Sequence, residues 1–189
     1  MVGLAILLAI AGLAVAALTT ASSPSVSLLD QPATANDALP ASILSLSIAS
    51  DFSSATDARL ALTRGAERAY VIPGKDSTFC LAVLEPSSDL VAAGSCADQD
   101  LLKGGTIFLS FPQPDGTIDV LGLVADSYTR ASSGAARADV VNNVFALSGL
   151  SGTSVTLVDK EGQETPVDLG PQEPTTTGQE PTTTVQVGS

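Results

Sequence analysis

The chain has 189 residues, a formal net charge of −12 and 44% hydrophobic residues, but only 4% aromatic residues and no histidine or tryptophan. All eight Lys and Arg residues lie between Arg59 and Lys160, so no basic stripe can neutralise nucleic-acid phosphates, and we expect no nucleic-acid partner. The lack of histidine excludes His-dependent catalysis and Cys-His zinc sites.

The N-terminal segment is an unbroken apolar run over residues 2–18. As a helix it would span roughly 25 Å, slightly less than the hydrocarbon core of a bilayer at about 30 Å. It is longer than the apolar part of most signal peptides, about 7–15 residues. We therefore predict that residues 1–20 form a signal anchor that contacts the membrane through residues 2–18. A cleaved signal peptide, with sites at residues 14–16 or 19–21, and a buried helix of a soluble fold remain alternatives.

No Lys or Arg stands between Met1 and the apolar run, although signal anchors usually open with basic residues. We expect the native start to lie upstream of Met1.

Residues 21–52 are rich in Ala, Ser, Pro and Thr. This composition predicts an extended stalk. Residues 43–48 alternate apolar and polar side chains, which fits either an edge strand or a short helical turn after Pro40.

A short helix is predicted over residues 55–64. Ser54 and Asp57 stand at the spacing of a helix-capping pattern. Gly65 follows Arg64, as is typical at the end of a helix with a basic last turn.

The rest of the folded region shows short apolar runs separated by turn residues, which indicates strands. Turn chemistry at residues 74–77 and 159–162 predicts hairpins, and residues 112–116 give the strongest turn pattern. The sequence thus predicts a mainly β fold over residues 53–170, a small antiparallel sandwich or open barrel with one short helix, preceded by the N-terminal apolar helix. The predicted strands cover residues 69–73, 79–84, 90–93, 106–111, 118–124, 140–147, 155–158 and 165–169.

Residues 171–189 contain a six-residue unit that begins at Gln172 and recurs at Gln179. The unit offers no apolar face, so we predict a disordered tail. A glycosylated or wall-spanning tail is the functional alternative.

Pairs of acids and amides are the main polar candidates for a site. Asp98 with Asp100, and Asp115 with Asp119, each supply part of a calcium shell but not a complete one, and turn roles are the alternative. Asn142 and Asn143 interrupt an apolar run and fit a bulge, a two-residue turn or a hydrogen-bonding ligand site. Since no catalytic motif is found, we predict no enzyme activity, catalytic residue, metal or cofactor.

The two cysteines, Cys80 and Cys96, stand among apolar residues, far from a Cys-x-x-Cys spacing and with no base close in sequence. In an exported domain they most simply form one disulfide. The loop that it closes would stabilise the fold by roughly 3 kcal/mol. Two buried free thiols and a redox pair remain alternatives.

The order of several segments resembles that of uncharacterised exported or single-span membrane-anchored proteins of actinobacteria. The resemblance covers roughly residues 30–170 and implies a membrane-tethered extracytoplasmic domain with paired cysteines and no known activity. The segments that carry it are residues 58–60, 70–74, 80–81, 94–96, 122–126 and 142–145.

Together these features predict a non-enzymatic binding or surface domain on the outer side of the cell membrane, single-pass or alternatively secreted. The expected partner is a protein or a component of the cell envelope. A carboxylate-based hydrolase and a purely structural stalked envelope protein remain alternative functions.

Overall fold

The structure, a computed structural model, describes residues 24–85 and 91–170. This part of the chain is mainly β, as predicted, and has three antiparallel sheets and one short α-helix. The strands are β1 (Arg59–Arg64), β2 (Glu67–Pro73), β3 (Thr78–Glu85), β4 (Val91–Asp98), β5 (Ile107–Pro112), β6 (Ile118–Leu123), β7 (Tyr128–Ser133), β8 (Ala136–Asp139), β9 (Val144–Leu150), β10 (Ser154–Asp159) and β11 (Glu164–Asp168), and the helix is α1 (Ala41–Leu44).

The first sheet has the order β1-β2-β3-β4, the second β11-β10-β7-β8, and the third β5-β6-β9. The hairpins predicted at residues 74–77 and 159–162 are confirmed, since β2 pairs with β3 and β10 pairs with β11. At the tip of the β2–β3 hairpin, Asp76 and Ser77 have φ angles of 51° and 61°. Two such residues form a turn that matches the twist of the flanking strands.

The main hydrophobic core is shared by all three sheets. Val71 and Leu81 of the first sheet, Leu157 of the second and Phe145 of the third belong to one buried cluster. Gly122 makes room for the ring of Phe145, because a Cβ at this position would overlap that ring.

A second buried cluster lies on the other face of the first sheet. There, Tyr70, Ile72 and Cys80 contact Ile43 and Phe52, which precede the first strand. The strands β2 and β3 are therefore buried on both faces, which explains their uninterrupted apolar sequences.

The segment over residues 24–58, called the strap below, corrects the prediction of a stalk over residues 21–52. Its described residues pack on the sheets, and Val26, Leu28 and Ile43 are all buried. The composition was misleading because a few scattered apolar side chains suffice to hold a Ser- and Pro-rich segment on an apolar sheet. The strap consists of α1 and the 3₁₀ turns Ser27–Asp30, Ala35–Asp37, Ser47–Asp51 and Ala55–Asp57. For residues 43–48, the structure favours the helical alternative, since α1 begins directly after Pro40.

The helix predicted over residues 55–64 is wrong. The Ser54 side chain does accept a hydrogen bond from the Thr56 amide at 3.3 Å, but it starts only the 3₁₀ turn Ala55–Asp57. The chain then continues as β1. Gly65, with φ of 62°, lies in the β1–β2 turn, because a left-handed glycine suits a hairpin as well as a helix end.

Three further differences concern strands. The sequence did not predict β7 and β8, and it ended the strand beginning near residue 90 too early, since β4 extends to Asp98. The strand predicted over residues 140–147 begins only at Val144. The other predicted strands are confirmed within one or two residues.

Within the described residues, no helix is long and apolar enough to cross a membrane. The apolar run over residues 2–18 and the repeat tail over residues 171–189 lie outside the described residues, so both assignments stay predictions.

Candidate functional site

The predicted disulfide is confirmed. Cys80 of β3 and Cys96 of β4 are bonded, stand directly opposite each other in the strand pairing and have Cα atoms 4.0 Å apart. Both cysteines of the chain are used, which rules out the alternative of two free thiols. Cys80 is fully buried in the cluster beneath the strap, so the bond links two core strands.

Three of the four predicted calcium-ligand acids hold local backbone turns or cross-strand contacts, as their hydrogen bonds show. Asp98 accepts a hydrogen bond from the Asp100 amide at 2.8 Å. Asp115 accepts from the amide and hydroxyl of Thr117, and these hydrogen bonds lower the pKa of the Asp115 carboxyl. Asp119 accepts from the Gly149 amide at 2.9 Å. Among the residues that the structure describes, no group of three or more potential ligands could hold a metal ion.

A depression of about 290 Å³, here called the clasp groove, is the best candidate for a functional site. One wall comes from the strap residues Ser27, Leu28 and Gln31, and another from Val140, Asn142 and Asn143 of the β8–β9 turn. Asp126, the start of β7 and Lys160 complete it. The groove therefore exists only because the strap lies against the second and third sheets.

Asp126 holds the strap in this position. Its Oδ1 accepts hydrogen bonds from the Ser27 amide at 2.9 Å, the Ser27 hydroxyl at 2.8 Å and the Asn143 side-chain amide at 2.7 Å. The Asp126 amide in turn donates to the carbonyl oxygen of Ser25 at 2.9 Å. These contacts join segments 99 positions apart in the sequence.

The environment keeps Asp126 ionised. Desolvation by burial on its own would raise its pKa, but hydrogen bonds from Asn143, Ser27 and Ser25 outweigh that effect and lower the pKa from its ordinary value. A carboxylate with a lowered pKa and several bound donors is a poor general base. Asp126 is thus suited to fastening the strap, not to proton transfer.

Asn142 and Asn143 form a two-residue turn, one of the alternatives predicted for them. Their φ angles are 50° and 65°, and the backbones of Val141 and Val144 exchange two hydrogen bonds of 2.9 Å across the turn. Asn tolerates this left-handed conformation better than other residues with a side chain.

The side chain of Asn143 also ties the strap to the sheets. Its oxygen accepts from the Leu28 amide at 3.2 Å, and its nitrogen donates to the Val124 carbonyl oxygen at 3.2 Å as well as to Asp126. Only 6% of Asn143 is exposed. The amide is therefore occupied by the fold itself, which leaves little of it for a ligand.

Three polar groups that line the groove have no such internal role. The Lys160 ammonium, the Tyr128 hydroxyl and the Gln31 side-chain amide make no hydrogen bond or ion pair with the described part of the chain. Together they offer donors and acceptors around one positive charge. The groove can thus bind a small polar or zwitterionic group.

Glycoside hydrolysis by carboxylates needs a different arrangement, namely two carboxyl groups that flank the scissile bond. Among the described residues that line the groove, Asp126 is the only carboxylate, and its Oδ1 already accepts three hydrogen bonds. The carboxylate pair of a glycoside hydrolase is therefore not among the described residues that line the groove.

Sequence reasoning did not identify Asp126, Ser27 or Lys160 as site residues. Asp126 is the first charged residue after an apolar strand, which is the only local indication of its role. Its partners come from distant segments and could be found only once the strap was seen to fold back.

Comparisons of the chain with protein-family models, with curated proteins and with solved structures gave no match.

Proposed function

We propose that the chain is a non-enzymatic extracytoplasmic binding domain, tethered to the membrane through residues 2–18, and that the clasp groove is its binding site. The main support is a set of three polar groups around one depression, on Gln31, Tyr128 and Lys160, which have no hydrogen-bond or ion-pair partner among the described residues. Polar groups that a fold does not use itself are available to a partner.

The disulfide supports the extracytoplasmic part of the proposal. Structural disulfides form and persist in oxidising compartments and are rare in the cytosol. The bond between Cys80 and Cys96 therefore agrees with export, as do the apolar N-terminal run and the resemblance to exported actinobacterial proteins.

The finer architecture belongs to the same proposal. A small antiparallel sandwich or open barrel is supported by the single buried cluster that joins all three sheets. Hydrogen bonds from Asn142 to the Ala61 carbonyl oxygen and from Arg64 to the Ser148 hydroxyl join β1 to the third sheet region, as closure of such a fold requires.

Site-specific photo-crosslinking in native membranes tests the binding function. A photoreactive residue replaces Gln31, whose exposed side chain lines the groove. The matched control replaces Ala135, which is exposed in the β7–β8 turn at the far end of the second sheet. We expect a discrete adduct from the groove position and none from the control position.

Equal adducts from both positions, or no adduct from either, would contradict a binding role for the groove. The hydrolase alternative is tested with Asp126→Asn. Hydrolysis by the purified domain that this change abolishes would favour the hydrolase, because Asp126 is the only carboxylate among the described residues that line the groove.

A further inference from the structure

We propose that the rim of the clasp groove rests on the headgroup layer of the membrane, with zwitterionic phospholipid as its partner. Val141 and Lys160 are the contacting residues. This inference rests on the proposed tether through residues 2–18, and it names the surface that the tether brings to the bilayer.

The first argument is the reach of the chain between the apolar run and the fold. A fully extended chain spans at most about 3.6 Å per residue, so the six steps from Leu18 to Pro24 cover no more than roughly 22 Å. The apolar run, at roughly 25 Å as a helix, is shorter than the hydrocarbon core of about 30 Å. A helix of that length would therefore leave part of the linker within the headgroup layer.

The second argument is that the fold begins immediately at the groove. Val26 and Leu28 are buried, and Ser27 is bonded to Asp126 by both its amide and its hydroxyl. These residues cannot move away from the sheets without breaking the hydrogen bonds to Asp126. The short linker therefore holds the groove itself near the membrane.

The third argument is the chemistry of the rim. Val141 is 50% exposed and is one of the two large hydrophobic side chains that are exposed in the described part of the chain. It stands between Val140 and Asn142, which line the groove. Lys160 lines the same groove and has no anionic partner among the described residues. An apolar tip beside a free ammonium matches the boundary between acyl chains and lipid phosphates.

Weak contacts are sufficient here because the domain is tethered. Linking two interactions turns the second into an intramolecular event with an effective concentration in the millimolar range for a short linker. One valine and one lysine would not recruit a free protein to a bilayer, but they can orient a domain that is already held there.

The charge of the surroundings selects the type of lipid. Asp139 and Glu161 are exposed next to the rim, and the chain carries a net charge of −12. An anionic surface would repel this region, whereas phosphatidylethanolamine offers a phosphate to Lys160 and an amine to the neighbouring acids.

The test uses the full chain reconstituted into phosphatidylethanolamine–phosphatidylcholine vesicles. Both native cysteines are bonded to each other, so a fluorophore on Gln31→Cys reports on the groove alone. Ala135→Cys is the matched control, because five strand steps along β7, about 17 Å, separate the groove from the opposite end of the second sheet. Quenching by lipid spin-labelled at the headgroup is measured for both. We expect quenching at residue 31 and little at residue 135.

Charge and apolar variants then identify the contact. In the Gln31→Cys background, Lys160→Glu with Val141→Asp should abolish the quenching. Arg137→Glu with Leu44→Asp, which changes an exposed cation and an exposed leucine outside the groove, should retain it. Replacing phosphatidylethanolamine with phosphatidylglycerol should reduce the quenching.

Vesicle flotation separates the two proposals. A chain that fails to float with the vesicles overturns the tether and the surface with it. A chain that floats but shows equal quenching at residues 31 and 135, or unchanged quenching in the Lys160 and Val141 variant, overturns the surface alone. Circular dichroism of each variant confirms that it has folded.

Discussion

The strap and the sheets both contribute buried apolar side chains to the core, but different interactions hold them in place. In the sheets, strands exchange backbone hydrogen bonds along their whole length, as β3 and β4 do from Thr78 opposite Asp98 onward. The strap makes only scattered bonds to the sheets. Examples are the Leu60 amide donating to Asp37 at 2.7 Å and the Leu28 amide donating to Asn143 at 3.2 Å.

This difference predicts where single substitutions matter. A ladder distributes its stability over many equivalent hydrogen bonds, so it tolerates the loss of one. The strap depends on a few side chains that no neighbour duplicates. Substitutions at those side chains should therefore have effects as large as substitutions in the core of the sheets, although the strap contains little regular structure.

Ile43→Ala gives the strongest test of that comparison. Ile43 is 0% exposed and belongs to the cluster between the strap and the first sheet. The change should lower the free energy of unfolding by about 2–5 kcal/mol, the usual range for such a cavity. Leu157→Ala, equally buried in the second sheet, is the matched control. Urea denaturation measures both, and an unchanged midpoint for Ile43→Ala would show that the strap is not part of the cooperative fold.

Removing the disulfide tests the sheet side of the comparison. The double variant Cys80→Ala and Cys96→Ala should have a free energy of unfolding about 3 kcal/mol lower, because the unfolded chain regains the conformational freedom that the closed loop removes. Reduction of the native protein should give the same shift of the unfolding midpoint. A loss far below 1 kcal/mol would mean that the β3–β4 ladder alone restricts this loop.

Asn143→Gly isolates the amide that joins the strap to the sheets. Glycine keeps the positive φ of 65° but leaves the Leu28 amide and the Val124 carbonyl oxygen without this partner, which should cost about 1–3 kcal/mol. Asn142→Gly is the control, since its side chain donates a single bond, to Ala61. Differential scanning calorimetry should find the larger shift for Asn143→Gly, and equal shifts would contradict the role of its amide.

The smallest effect concerns acid pH. The pKa of Asp126 is lowered from its ordinary value of 3.8, so the folded state binds fewer protons than the unfolded state in this range. Its stabilising contribution is complete above pH 3.8 and is lost as the pH falls through the lower folded pKa. Unfolding midpoints measured across the acid range should fall less steeply for Asp126→Asn than for the native protein. Identical slopes would mean that Asp126 contributes nothing to acid sensitivity.

The sequence was sufficient for the parts of the fold whose signals are local. The turn residues at 74–77 and 159–162 predicted two hairpins, and the apolar runs at β5 and β6 stand out because both strands lie in the core. The strand β7 was missed since only Tyr128 and Ala131 are buried along it, which gives no alternation.

The strap and the groove depend on contacts that no local pattern records. The buried strap residues Val26, Leu28 and Ile43 are too few and too widely separated to show a repeated strand or helix period. Gly94 in β4 is a further example, because the side chain of Ile48 in the strap occupies the space that a Cβ at residue 94 would need. Such complementarity exists between distant segments and becomes visible only after folding.

The cross-link between Cys80 and Cys96 also determines how the domain would respond to mechanical force. A load applied between the proposed membrane tether and the C-terminal end would pass through the sulfur bridge, so the residues between the two cysteines would carry no tension. Unfolding under load would therefore release about 50 Å less chain than the same sequence with reduced cysteines. For a protein held at a surface, this limits how far the domain can be drawn out while the bridge remains intact.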